Sequence, residues 1–153
     1  MLELELQPHV GIGPAKLGAI RSDIRSALEQ VGLSLDTSSD RQDYFDGIQV
    51  EYTDEKCSFI GASWSQRYIV KFAGLNVFNV SSEELFATLS TCDGSGEHAY
   101  NTYDYLFPNQ LVTLWEADQQ YDRLGGESRV IWAQIGIGNE VYREAVQRIK
   151  GGA

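Results

Sequence analysis

The chain has 153 residues, enough for one domain around one continuous core that buries roughly 70% of the surface its unfolded form exposes. Its 42% hydrophobic and 11% aromatic content is that of a soluble globular protein, and no apolar run approaches the ~18 residues of a membrane-spanning helix. Twelve basic residues against 22 acidic ones leave a net charge of −10 without any cluster of Lys and Arg, which argues against a nucleic-acid partner.

In chain order, Leu2 to Leu6 alternates apolar and acidic residues, as a half-buried strand does. The same segment lacks the basic start and apolar middle of a secretion signal, so a cytoplasmic location is expected. The next stretch, HVGIGPAKLGAI at residues 9 to 20, is rich in glycine and raises the question of phosphate binding. A dinucleotide fingerprint needs a third glycine where this chain has Lys16, and a P-loop needs Gly-Lys-Ser/Thr, whereas Lys16 stands between Ala15 and Leu17. The stretch therefore reads as a turn that aims a helix, with Pro14 and Gly18 positioning its start. Ile20, Ile24, Ala27, Leu28 and Val31 then recur at helical spacing before Gly32, which predicts a first helix over about 20–31.

Three β-rich runs follow, Tyr44 to Thr53, Cys57 to Trp64 and Tyr68 to Phe72, separated by short polar links that suit antiparallel hairpins. The segment NVSSEELFATLS carries a capping box on Ser81 and Glu84, with Val80 and Leu85 placed as a hydrophobic staple, and predicts a second helix over about 82–90. Three more β-rich runs, Tyr100 to Phe107, Gln110 to Glu116 and Arg129 to Gly136, precede a second GIG at 136–138, read as punctuation. A last helix opens at Asn139, with Val141, Ala145, Val146 and Ile149 on one face. Helix followed by three strands thus occurs twice. The expectation is a single α+β domain over 1–153, an antiparallel sheet with helices packed on one face, built as two pseudo-halves of about 1–75 and 76–150.

Catalytic and metal-binding patterns are sparse. Cys57 and Cys92 form no CxxC pair and read as small buried residues. There are two histidines, His9 and His98, and no HxxxH, GxSxG or clustered ligand set, so neither a metal nor a cofactor is expected. The loop CDGSGEH, Cys92 to His98, does place a thiol, carboxylates, a hydroxyl and an imidazole together. It supports an alternative reading as a small hydrolase or ligand-binding site, against the simpler one of a polar connection after the second helix.

The acidic residues fall in two blocks, 36–55 and 93–127, each carrying seven acids against one arginine. Aromatics are interleaved with them, a composition that offers large contact area and steers a basic partner. The candidate partner-binding residues of the first block are Asp43, Tyr44, Asp46 and Glu51. Those of the second are Asp104, Trp115, Glu116, Asp118, Tyr121 and Asp122, with Tyr103 and Trp115 as candidate buried anchors.

The segments GIGPAKLGAIRSDIRSAL, GLNVFNVSSEELFATL and IGIGNEVY resemble those of small bacterial proteins, some encoded beside polymorphic or contact-dependent growth-inhibition toxins as immunity proteins. In that pattern a Ser or Thr caps the helix after G-x-G-P-x-x-L-G; this chain has Ile20, so its helix is expected to begin differently. The resemblance implies a non-catalytic protein that binds and neutralises a cognate toxin, often a basic nuclease, and carries no particular binding residue over. A generic interaction module, acidic only for solubility, is the blander alternative.

Overall fold

The computed structural model describes residues 1–121 and 128–150, with the side chains of 118–121, 128, 129 and 150 excepted. The alternation at the start becomes strand β1 (Leu2–Gln7), which buries Leu4 and Leu6 and turns Glu3 and Glu5 outward. The glycine stretch folds into a small hairpin of β2 (Gly11–Ile12) and β3 (Ala15–Lys16) before any helix begins. Gly13 sits at φ +57, and a Cβ there would lie 2.6 Å from a methyl of Leu4, so the position requires glycine. Lys16 donates its ammonium to the Gly13 carbonyl at 2.7 Å, closing the turn on itself.

Helix α1 (Arg21–Gln30) has Ile20 at its N-cap with no side-chain cap. The neighbouring strand supplies what a Ser or Thr would: Ile20 bridges Lys56, and the Arg21 N–H donates to the Glu55 carbonyl at 3.0 Å. A four-strand meander follows, β4 (Leu35–Ser38), β5 (Gln42–Phe45), β6 (Ile48–Thr53) and β7 (Lys56–Ala62). The run read as one strand over Tyr44 to Thr53 is thus a hairpin, broken at Asp46 and Gly47, both at positive φ, as a two-residue turn demands. Tyr68 to Phe72 is a strand as expected, β8 (Tyr68–Phe72), but it leaves this sheet. It pairs in parallel with β1 and antiparallel with the short β9 (Leu75–Asn76), giving a small sheet in the order β3-β2-β1-β8-β9. Short links excluded parallel pairing only between consecutive strands. Here α1 and the whole β4–β7 meander form the crossover.

Helix α2 (Ser82–Asp93) starts where the capping box puts it, with Ser81 accepting from the Glu84 N–H. Strands β10 (Asp104–Phe107), β11 (Val112–Tyr121) and β12 (Ser128–Gly138) form a second meander, and α3 (Glu140–Lys150) ends the described chain. The two meanders join through their last strands: Ile137 lies opposite Ile60 and Ile135 opposite Ala62. The result is a seven-stranded antiparallel sheet, β10-β11-β12-β7-β6-β5-β4.

The fold is α+β, with side-chain alternation deciding which helix covers which face. Ile48, Val50, Ile60, Ala62, Ile135 and Ile137 point to one face and are buried under α1, α2 and the small sheet. Helix α3 is the exception to the expected one-sided packing. It lies on the opposite face, where its Tyr142 stacks on Phe59 of β7 at 4.7 Å between ring centroids. Cys57 is buried as expected, whereas Cys92 is exposed, because α2 turns Leu85, Phe86, Leu89 and Asp93 inward and leaves Cys92 on its outer side.

Candidate functional site

The second GIG is structural in a way the sequence reading did not give it. Within β12, Ile135 and Ile137 fill the core while Gly136 and Gly138 face α3. A Cβ on Gly138 would meet the Tyr142 ring at 2.3 Å, and one on Gly136 would meet the Phe59 ring at 2.5 Å and the Thr113 hydroxyl at 2.8 Å. These glycines let the first turn of α3 sit directly on the sheet. The helix then runs out over β11 and β10, where its apolar stripe finds less to cover: Tyr142 and Val146 are half-buried, but Ile149 is 81% exposed.

Between the overhanging helix and the sheet lies an apolar groove of about 300 Å³. Its floor is Thr113, Leu106 and Gln134, its roof Tyr142, Val146 and Ile149, and its open side Trp115 and Asp104. Trp115 is 53% exposed for a local reason. Glu116 adopts φ +49, so the alternation of β11 slips: Leu114 and Ala117 both pack toward the core, and Trp115 between them is left on the α3 face. On the other side of Tyr142, β5 and β6 carry a polar ladder in which Tyr44 donates to Gln42 at 2.8 Å and Gln42 donates to Glu51 at 2.9 Å. Burial raises the pKa of the Glu51 carboxyl, against the Gln42 hydrogen bond. Burial, and then the charges of Glu51 and Asp104, push the Tyr142 phenol up to about 12. Two carboxylates therefore flank the Tyr142 ring from opposite sides, and neither is in an ion pair among the described residues.

The structure thus gathers Tyr44, Glu51, Asp104 and Trp115 on one sheet face, with Glu116 exposed at its edge. It removes Asp43. That carboxylate is 0% exposed, because Asp43 alternates in phase with Phe45 toward the core face. Arg21 reaches it at 2.7 Å and Arg25 at 2.8 Å, and the Tyr52 hydroxyl donates to it at 2.9 Å. Burial alone would raise its pKa, but the bonds from Arg25, Arg21 and Tyr52 outweigh that and hold it well below the usual carboxylate range. Asp46 is spent in its turn, accepting the Ser34 N–H at 2.9 Å. Asp118 and Tyr121 lie on the β11 backbone without described side chains, and Asp122 lies outside the described residues. Tyr103 is no buried anchor: it precedes β10 and is 78% exposed. Sequence reasoning missed Phe59, Leu106, Gln134 and Tyr142, and placed Val146 and Ile149 only on one face of the last helix. The usable signal was the Ile-Gly-Ile-Gly alternation ahead of an amphipathic helix, which marks a strand with something seated closely on its second face.

The CDGSGEH loop is drawn into a clasp. Ser95 donates to Asp93, and His98 Nε2 lies 2.7 Å from the Ser95 hydroxyl while its Nδ1 bonds the Tyr105 hydroxyl. Hydrogen bonds from Ser95, Gln110 and Asn109 outweigh the burial of Asp93 and lower its pKa, so it is an acceptor only. The Ser95 proton must therefore point at Asp93, leaving His98 to donate from Nε2 to the Ser95 hydroxyl. Asp93 also accepts the Gln110 N–H at 2.7 Å, so the chain of bonds ties the end of α2 to the β10–β11 turn. Among the described residues no three His, Cys, Asp or Glu side chains could hold a metal ion, and no helix is long and apolar enough to cross a membrane. No family model, curated protein or solved structure matches the chain.

Proposed function

We propose that this protein is an immunity-type inhibitor, which binds a cognate, basic toxin domain and blocks it without chemistry of its own. The observation that carries the reading is the open groove beside α3, where half-exposed Trp115 and overhanging Ile149 stand with Asp104, which is in no ion pair among the described residues. Apolar anchors inside a charged rim are the composition of a protein-binding surface. The acidity of the chain would speed encounter with a cationic partner and turn phosphate-bearing ligands away. Its resemblance to immunity proteins supports the same reading.

The test is cellular. The genes flanking its own are searched for a large toxin gene immediately upstream; co-expressed with that toxin's domain at a dose that stops growth, the protein is expected to rescue growth fully and to co-purify with it. Growth arrest despite accumulation of folded protein removes the proposal.

A further inference from the structure

We infer that the groove between α3 and the β10–β12 meander receives an apolar side chain presented between lysines or arginines on a partner protein. The inference rests on the partner-binding reading above and assigns its site. Three observations fix the chemistry of the occupant. First, the cavity of about 300 Å³ is large enough for a side chain, and Leu106, Trp115, Val146 and Ile149 give it apolar walls. Second, the one ionised side chain that lines it among the described residues is acidic, Asp104, and the exposed Glu116 follows Trp115 in the chain. The nearby Arg143 is turned to Glu140 of its own helix at 3.1 Å. A lysine or arginine entering beside the apolar residue would meet Asp104 and could lie over the exposed face of Trp115. Third, the same charges disfavour a second copy of this chain as occupant. Pairing two such faces would bring Asp104 and Glu116 against like charges, in a protein that already carries −10.

The site is tested on the full-length, isotope-labelled protein with three acetylated peptides, Lys-Lys-Leu-Lys-Lys, Lys-Lys-Ser-Lys-Lys and Glu-Glu-Leu-Glu-Glu. The first is expected to shift the Trp115 indole and the Thr113, Gln134 and Val146 signals saturably, with affinity falling as salt is added, and the other two to leave them unmoved. Ile149→Asp, at a position too exposed to threaten folding, should weaken that binding at least about tenfold. Shifts confined to another surface, equal shifts with the glutamate peptide, or sedimentation as a dimer that Ile149→Asp abolishes would each overturn the assignment. Cell protection separates this from the broader reading. Protection undiminished in Ile149→Asp overturns the groove alone. Peptide binding in the groove without protection by the wild-type protein supports the groove and overturns only the immunity function.

Discussion

Asp43 shows how far a charge in a sequence is from a charge on a surface. It was read as part of an acidic patch, yet its alternation with Phe45, and the i, i+4 spacing of Arg21 and Arg25 on α1, already place it where a helix and a strand can close over it. Arg21 also stacks over the Tyr52 ring at 4.7 Å and donates to the carbonyls of Ser39 and Asp40, so one buried carboxylate organises the edge of the sheet. Asp43→Asn should therefore destabilise the fold by about 3 kcal/mol, since it removes the countercharge from two arginines at once. The pH dependence has a definite sign. A carboxyl held below its unfolded value contributes fully above about pH 4, and the contribution is lost as pH falls toward the lower folded value. Denaturant unfolding of the wild type should weaken steadily below pH 4, and the Asp43→Asn variant should show a flatter profile there. Equal acid slopes in the two proteins would place the acid sensitivity elsewhere.

Elements with caps and alternation were legible, and those that depend on distant partners were not. Helix α2 begins where Ser81 and Glu84 put it because a capping box is satisfied within four residues. Helix α1 has no such local signal, since Ile20 gets its stop from Lys56, 36 residues on. The seat of α3 is the most consequential element misread. Gly136 and Gly138 looked like punctuation because glycine before a helix usually is, but the isoleucines alternating with them mark a strand, and the glycines mark contact with a helix that covers its second face. Gly138→Ala should force Tyr142 off its seat and cost about 1–3 kcal/mol, as overpacking generally does. Hydrogen exchange would report it: amides of α3 should lose protection while those of α2 keep theirs. Uniform loss across both helices would mean that the glycine serves the whole fold and not the seat of α3.

At the scale of the molecule, the α+β class followed from counting elements, but the parallel β1–β8 pair and the two-sided sheet did not, because both depend on contacts between segments far apart in the chain. The same holds for charge. The two acidic blocks are real in sequence, yet folding spends Asp43, Asp46 and Asp93 on internal bonds and leaves Asp104 and Glu116 beside Trp115. Reversal of Asp43 would therefore test folding and not binding. The discriminating pair is Asp104→Lys with Glu116→Lys, set against Asp40→Lys with Asp54→Lys near the opposite edge of the large sheet. Both pairs change net charge equally, so a difference between them reports local steering and not global attraction. With a basic toxin domain, the first pair should slow association by about tenfold at low salt and much less at 1 M, where the Debye length is about 3 Å. The second pair should slow it by less than about threefold, through net charge alone. Stopped-flow association at two salt concentrations measures both. Equal slowing by the two pairs would show that the acidity acts only through total charge, and that the carboxylates beside the α3 groove hold no privileged place in the encounter.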